Sequence, residues 1–312
     1  MNFYEIDKKL KAEFASKRLE AESKAERNLA RLSKILSYTK LDTLSKELML
    51  EISKKGGKAS KKDKELLENV KKQKQFVLAS LGLSEDDLSP KYQCKKCNDF
   101  GFLGAKMCSC YQKRRNEEIM KACGLTFEHK HSLKNYSTKI CGNEAQAKQL
   151  DDLKTFLKNW INRFPAVTKQ NILIMGKTGV GKTYLAEAVA TDIFEKNYSV
   201  CFVSAFDMNN MFTKFHTTFS TDKHSWIDPL IESDLLIIDD LGTEPITKNV
   251  TLNYLYLVLC ERNRFGKATI ITTNLSAETI MDRYGERIFS RLMDKSNGLA
   301  FGLLGDDLRT KK

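Results

Sequence analysis

With 312 residues and 41% hydrophobic content, the chain is long enough for two domains and apolar enough to bury a real core. No run of eighteen apolar residues exists, which excludes a transmembrane helix, and residues 1–20 lack the apolar block of a secretory signal. A cytoplasmic location is expected, where the eight cysteines stay reduced and a disulfide framework is the poorer reading.

The net charge of +12 is unevenly spread. Residues 1–135 carry 30 lysines and arginines against 19 acids, whereas residues 136–312 carry 22 against 21. A lysine-rich helical surface explains this as well as an acidic partner does, whether nucleic acid or protein, and charge alone does not decide.

Residues 1–83 contain no proline and only three glycines, two of them at Gly56-Gly57. Apolar residues recur at helical spacing: Phe3, Ile6, Leu10 and Phe14, then Leu41, Leu44, Leu48 and Ile52, then Leu66, Val70, Val77 and Leu81. This predicts a small bundle of basic helices over residues 1–90, broken near KKGGKASKKD and closed by Ser89-Pro90.

The stretch CKKCNDFGFLGAKMCSC follows at residues 94–110. Cys94 and Cys97 form a C-x₂-C knuckle, and Cys108 and Cys110 complete the set after a turn containing Gly101 and Gly104. Four thiolates satisfy tetrahedral zinc fully, so the expected metal is structural, with an iron–sulfur cluster as the alternative. Zinc would also supply folding free energy to a segment with few large apolar residues. Cys123 and Cys141 are spare ligands, while Cys201 and Cys260 read as core. Residues 91–135 are thus a zinc-binding segment and linker.

From about residue 140 short apolar runs alternate with amphipathic helical stretches: NILIM (171–175), VCFVS (200–204), LLIID (235–239), ATIIT (268–272) and LAFGLL (299–304). That alternation predicts an α/β domain over residues 136–312, its parallel sheet covered by helices on both faces.

Residues 176–183 read GKTGVGKT between a strand and a helix, the context a phosphate-binding loop requires. Gly176, Gly179 and Gly181, with Lys177, Thr178 and Val180, form a loop whose backbone N–H groups curl around phosphates. Lys182 reaches the β- and γ-phosphates, Thr183 ligates Mg²⁺, and Tyr184 opens the helix beside the nucleotide. In LLIIDD (235–240), Asp239 holds Mg²⁺ through water and Asp240 orients the attacking water. Asn274, ending ITTN, emerges at the same sheet edge to help orient that water. Downstream, YGERIFSRLMD (284–294) carries Arg287 and Arg291 one helical turn apart, suited to reach a neighbouring subunit's ATP.

GKTGVGKT, LLIIDDLG, TTN and GERIFSRL resemble, in order and spacing, the AAA+ ATPases, and more specifically bacterial replicative-helicase loaders of the DnaC/DnaI type. The resemblance covers roughly residues 130–312. It implies ATP and Mg²⁺ as cofactors, Arg291 as an intersubunit finger, Arg309 as a second sensor of nucleotide, and self-association into a ring or spiral. It also implies docking of the N-terminal, zinc-bearing region on a hexameric replicative DNA helicase, delivered onto single-stranded DNA. Most AAA+ proteins carry glutamate after the Mg²⁺-binding aspartate, where this chain has Asp240. The shorter side chain predicts slow hydrolysis, with ATP acting as a switch.

Between the second and third strands, Lys214, Phe215 and Phe219 offer a cation and aromatic faces at helical spacing, a set suited to stacked bases and phosphates, though equally read as core. Thr247 and Lys248, after LLIIDD, are further phosphate contacts. Two other readings stay open: a transposition-accessory ATPase of the IstB type, against which the cysteine set argues, and an ATP-binding adaptor without hydrolysis. A DnaA-type initiator is set aside because only twenty-one residues follow Arg291.

Overall fold

A computed structural model describes residues 3–54, 59–122, 131–138, 141, 143–219 and 221–310; Cys123 and Gly56-Gly57 lie outside them. The chain divides into two compact units, Lys11–Cys108 and Met1–Leu10 with Ser109–Lys312, so the seam falls inside the cysteine segment.

The smaller unit is helical. Helix α1 (Phe3–Ser33) supplies Phe14, Ala25 and Leu32 to its core. Helices α2 (Leu36–Lys54) and α3 (Lys61–Ser80) pair side by side, joined by Lys74 to Asp42 at 2.7 Å. Val70 and Leu78 of α3 are buried, yet α2 buries none of its residues fully. Leu44 and Leu66, expected on buried faces, are exposed, because a two-helix pair covers only the side each helix turns to the other. Asn28 caps the connection that follows, donating to the Asp87 carbonyl at 2.8 Å. A short antiparallel hairpin, β1 (Phe102–Leu103) and β2 (Lys106–Met107), closes the unit.

The larger unit opens with helices α4 (Ser109–Ala122) and α5 (Glu144–Arg163). Residues 109–122, expected within a linker, are held to the first turns of α1: Arg115 meets Asp7 at 2.8 Å and Lys9 meets Glu118 at 2.6 Å.

Strands β3 (Asn171–Gly176), β4 (Val200–Ser204), β5 (Leu235–Leu241), β6 (Ala268–Thr273) and β7 (Gly298–Leu303) form one parallel sheet in the order β4-β5-β6-β3-β7. Helices α6 (Lys182–Glu195), α7 (Ala205–Thr217), α8 (Asp228–Glu232), α9 (Thr251–Arg264) and α10 (Ala277–Leu292) connect them. Strand alternation sends Ile172, Ile174, Leu235, Ile237 and Ile270 to one face, where they pack with Leu153 and Leu157 of α5 and Leu185 and Val189 of α6. Leu173 and Ile271 point the other way, toward Leu259 of α9 and Leu292 of α10. Both faces are therefore covered, as the continuous apolar runs predict.

Beneath the sheet, Arg262 is fully buried without a carboxylate partner. Its guanidinium donates to the carbonyls of Leu230, Ser233 and Ala268 and to the Thr269 hydroxyl, and this desolvation lowers its pKa to about 9. Among the described residues no helix is long and apolar enough to cross a membrane.

Candidate nucleotide site and cysteine cluster

Strand β3 ends where the chain turns into α6, and the loop between them carries the phosphate-binding signature. The turn has φ 81° at Gly179, a conformation that favours glycine, and a Cβ there would fall 1.9 Å from the Asp307 carboxylate and push that side chain aside. Leu308 N–H donates to the Gly179 carbonyl at 2.9 Å, closing the C-terminal segment over the loop. The first turn of α6 leaves its N–H groups free to meet an anion.

Lys182 is buried at the cleft floor. Its ammonium donates to the carbonyls of Gly176 at 2.8 Å and Lys177 at 2.9 Å and to Asn274 Oδ1 at 2.7 Å. Burial lowers its pKa, opposed by Asp240 and Asp239. The Asp239 carboxylate accepts from Thr183 at 3.1 Å and from Thr272 at 2.6 Å. Burial holds the Asp239 carboxyl above the usual carboxylate range, with Asp240 adding to the rise. A hydroxyl and a carboxylate that already touch, one from each expected ligand, fit a Mg²⁺ shared with phosphates.

Strand β5 shifts register against β6 between Ile238 and Leu241, an irregularity that falls on the two aspartates. Asp240 adopts φ 54°, and its N–H donates to Thr272 Oγ1 at 2.9 Å. A bulge re-aims side chains locally, which is how consecutive aspartates both serve one edge of a sheet instead of pointing to opposite faces. Asn274 Nδ2 stands 3.5 Å from Asp240 Oδ1, so Lys182, Asn274 and Asp240 form one polar chain.

The cleft has a volume of about 520 Å³ and is lined by Thr178, Lys182, Asp240, Asn274, Leu308 and Arg309, among others. Its far wall holds residues that pattern reasoning missed. His131 stacks on Tyr184 at 4.1 Å between ring centroids, Tyr136 lies 5.3 Å from Tyr184, and His131 Nε2 is 3.3 Å from Glu187. These rings offer a nucleobase an aromatic wall. The segment HSLKNYS has no periodicity, and its aromatic content was the sole available signal.

Arg291 lies outside this cleft. Exposed on the last turn of α10, it hydrogen-bonds Tyr256, which with Cys260 raises its pKa. Arg287 is likewise exposed, while Arg309 lines the cleft.

The expected nucleic-acid set does not stay together. Phe215 is 9% exposed, packed edge-on to Tyr254 at 5.1 Å with the Lys223 ammonium over its ring, so it offers no face to a base. Its helical spacing from Phe212 placed both in the core. Phe219, one residue past the end of α7's C-cap, is 96% exposed, and Lys214 lies over the Trp226 ring at 4.4 Å. Thr247 and Lys248 are exposed on the loop after β5, where Thr247 N–H donates to Thr251.

The sulfurs of Cys94, Cys97, Cys108 and Cys110 lie within 4.8 Å of one another. Cys94 and Cys108 are 3.9 Å apart, close to the ~3.8 Å edge of a tetrahedron with ~2.3 Å zinc–sulfur bonds. Asp99 shapes the turn, its carboxylate accepting the N–H groups of Gln93 and Cys94, each at 2.7 Å. Gly101 N–H donates to Cys97 Sγ at 3.3 Å, an outer contact suited to a thiolate. Cys141 packs instead against the core of the larger unit, and Cys201 is buried in β4.

Residues 99–296 match the profile of the IstB-like ATP binding proteins. The chain is 26% identical over 147 residues to an ATP-binding protein of insertion sequence IS5376 from Geobacillus stearothermophilus, covering 46% of this chain and 57% of that one. It is also 26% identical over 124 residues to the replicative helicase loader DnaC of Escherichia coli K12, covering 39% and 49%. The chain thus spans about half the length of each relative. Among solved structures, the DnaC helicase loader superposes with a TM-score of 0.47 at 21% identity, over 56% of this chain and 97% of that one. DnaI gives 0.46 at 18% identity, over 62% and 100%. With nearly two thirds of its length matched by that profile, and the phosphate loop, paired aspartates and five-stranded parallel sheet all in place, the chain belongs to the IstB-like ATP-binding family of AAA+ ATPases.

Proposed function

We propose that the protein is an ATP-dependent loader of a hexameric replicative DNA helicase, docking through its basic, cysteine-bearing N-terminal region and delivering the ring onto single-stranded DNA. The observation that carries this reading is the convergence of four cysteine sulfurs within 4.8 Å of one another in a chain that also holds a phosphate-loop cleft. Such a knuckle leaves no open coordination position, so its use is to shape a binding head. Similarity to the loader DnaC supports the same partner.

In this reading Lys182 and the loop hold the phosphates, Thr183 and Asp239 hold Mg²⁺, and Asp240 with Asn274 orients the attacking water. Arg291 completes the site of a neighbouring subunit, which makes hydrolysis depend on assembly into a ring or spiral. Asp240, one methylene shorter than glutamate, makes hydrolysis slow, so that ATP binding marks the loading state and its loss releases the loader. Phe219, Lys214 and Lys248 contact the single strand.

A second reading, a transposition-accessory ATPase, draws support from the matched profile and from the IS5376 relative. Light scattering after size exclusion separates the two. The full chain mixed with its cognate replicative helicase, ATP and Mg²⁺ is expected to elute as one large complex, and addition of a metal chelator is expected to abolish it. No complex at any nucleotide state rejects loading and leaves the transposition reading.

A further inference from the structure

Glu244 is 1% exposed, although it stands only four residues after Asp240 in the turn that follows β5. Its carboxylate accepts the Gly242 N–H at 2.8 Å and the hydroxyl of Tyr284, and its carbonyl accepts from the Arg283 guanidinium. The same turn is pinned to Asp240, whose carbonyl accepts the Thr243 N–H at 3.2 Å and the Thr243 hydroxyl at 2.9 Å. Asp240 is therefore linked to Tyr284 and Arg283 on α10 by hydrogen bonds at each end of the tight turn 240–244, with the turn's own backbone between them.

What comes next on α10 is a break. Gly285 adopts φ 79°, ψ 164°, outside the helical region, and no heavy atom other than its chain neighbours and its own helix backbone lies within 4 Å of the position a Cβ would take. The first half of α10 is thus anchored to the turn after Asp240, while the half beyond Gly285 carries the exposed Arg287 and Arg291. A buried carboxylate cannot exchange its partners for water cheaply, so the Glu244 contact is stiff. The unpacked glycine beside it is compliant. A stiff link followed by a pivot converts a small shift at one end into a rotation at the other.

We propose that the buried Glu244–Tyr284 contact is a positioning device that carries the state of Asp240 and its nucleotide to α10 and aims Arg291 into the neighbouring subunit. The proposal rests on the reading of Arg291 as an intersubunit finger. Glu244 and Tyr284 touch neither nucleotide nor metal in this scheme; they act through Arg291.

The test uses the full chain and mixed subunits. Tyr284→Phe should bind ATP within about twofold of the parent and hydrolyse it about tenfold more slowly, the size of effect that coupling contacts carry. Mixing it with Asp240→Asn subunits, which keep a well-aimed Arg291 but an impaired site of their own, should raise hydrolysis above either variant alone. Arg291→Ala should show the same rescue, and Glu244→Gln should repeat the pattern if the ring packing of Tyr284→Phe proves disruptive. A merely destabilised subunit would lose ATP binding and gain nothing from mixing. Parental hydrolysis by both Tyr284→Phe and Glu244→Gln overturns the proposal. So does a loss that mixing cannot restore, which would place the effect on Asp240 within one subunit. If Arg291→Ala itself hydrolyses like the parent, the finger reading fails first and the proposal falls with it.

Discussion

Lys182 and Asn274, ninety-two residues apart, meet across the cleft, with the lysine ammonium donating to Asn274 Oδ1 at 2.7 Å. The ammonium is also held by two carbonyls of its own loop. Nucleotide phosphates must replace these partners, and only a charged acceptor does so favourably. Lys182→Ala is expected to weaken ATP binding by about 1.5–3 kcal/mol or more, since a charge-assisted bond is lost at each phosphate reached. Asn274→Ala, which frees one contact of the lysine but removes none to phosphate, should bind ATP normally and hydrolyse it more slowly. Calorimetric titration with a slowly hydrolysed analogue reads both; equal binding by the Lys182 variant would remove the site assignment.

Asp239 predicts a pH signature. Burial raises its folded pKa above that of the unfolded chain, so its contribution to stability is present below the unfolded value and lost as pH rises through the folded one. At neutral pH without Mg²⁺ the charged carboxylate therefore costs stability. Asp239→Asn, which keeps an acceptor for Thr183 and Thr272, should gain about 1 kcal/mol at pH 7.5, or ~2–4 °C in melting temperature. The gain should vanish on acidification below the aspartate range, and the variant should lose its stabilisation by Mg²⁺–ATP. Calorimetric melts across pH check all three; a gain independent of pH contradicts the burial argument.

The cysteine group predicts one zinc per chain by elemental analysis of protein purified without added metal. Cys97→Ser should lose that zinc, because three remaining thiolates leave the tetrahedron open. Finding iron and acid-labile sulfide instead would assign a cluster.

Phe215 and Phe219 should part company on substitution. Phe219→Ala is expected to leave the melting temperature unchanged and weaken single-stranded DNA binding by about 1–3 kcal/mol. Phe215→Ala should destabilise the fold by about 3–5 kcal/mol, as loss of a buried aromatic does. Fluorescence anisotropy with a labelled oligonucleotide, alongside melts, reads the pair; unchanged DNA affinity in Phe219→Ala would send the search to Lys248.

Strands β3 to β6 were legible because they are covered on both faces, so each reads as an uninterrupted apolar run; edge strand β7, with Ala300 and Gly302 exposed, was legible from its apolar composition alone. The phosphate loop was legible because its geometry admits few residues. What stayed hidden depends on residues brought together by the fold. Nothing in HSLKNYS announces that His131 will stack on Tyr184, and nothing in LGTEP announces that Glu244 will be sealed against Tyr284. The spacing of Phe212, Phe215 and Phe219 located a helix face but not its end, and the one ring beyond the C-cap is the one left in solvent. In α2 and α3 the helical period was correct, while the buried side was overcounted at Leu44 and Leu66 because a period does not state how many neighbours a helix has.

The carbonyl cage around Arg262 sits at the starting ends of β5 and β6, opposite the edge that faces nucleotide. It gathers three chain segments onto one cation, so exposing any one of them means exposing all three. Amide hydrogens near Ser233 and Ala268 should therefore exchange only through global unfolding, while those of the turn at Thr243 exchange through local opening. Read as a machine part, Arg262 is a foundation bolt: whatever strain ATP generates cannot relax downward through the sheet, and leaves by way of its loops.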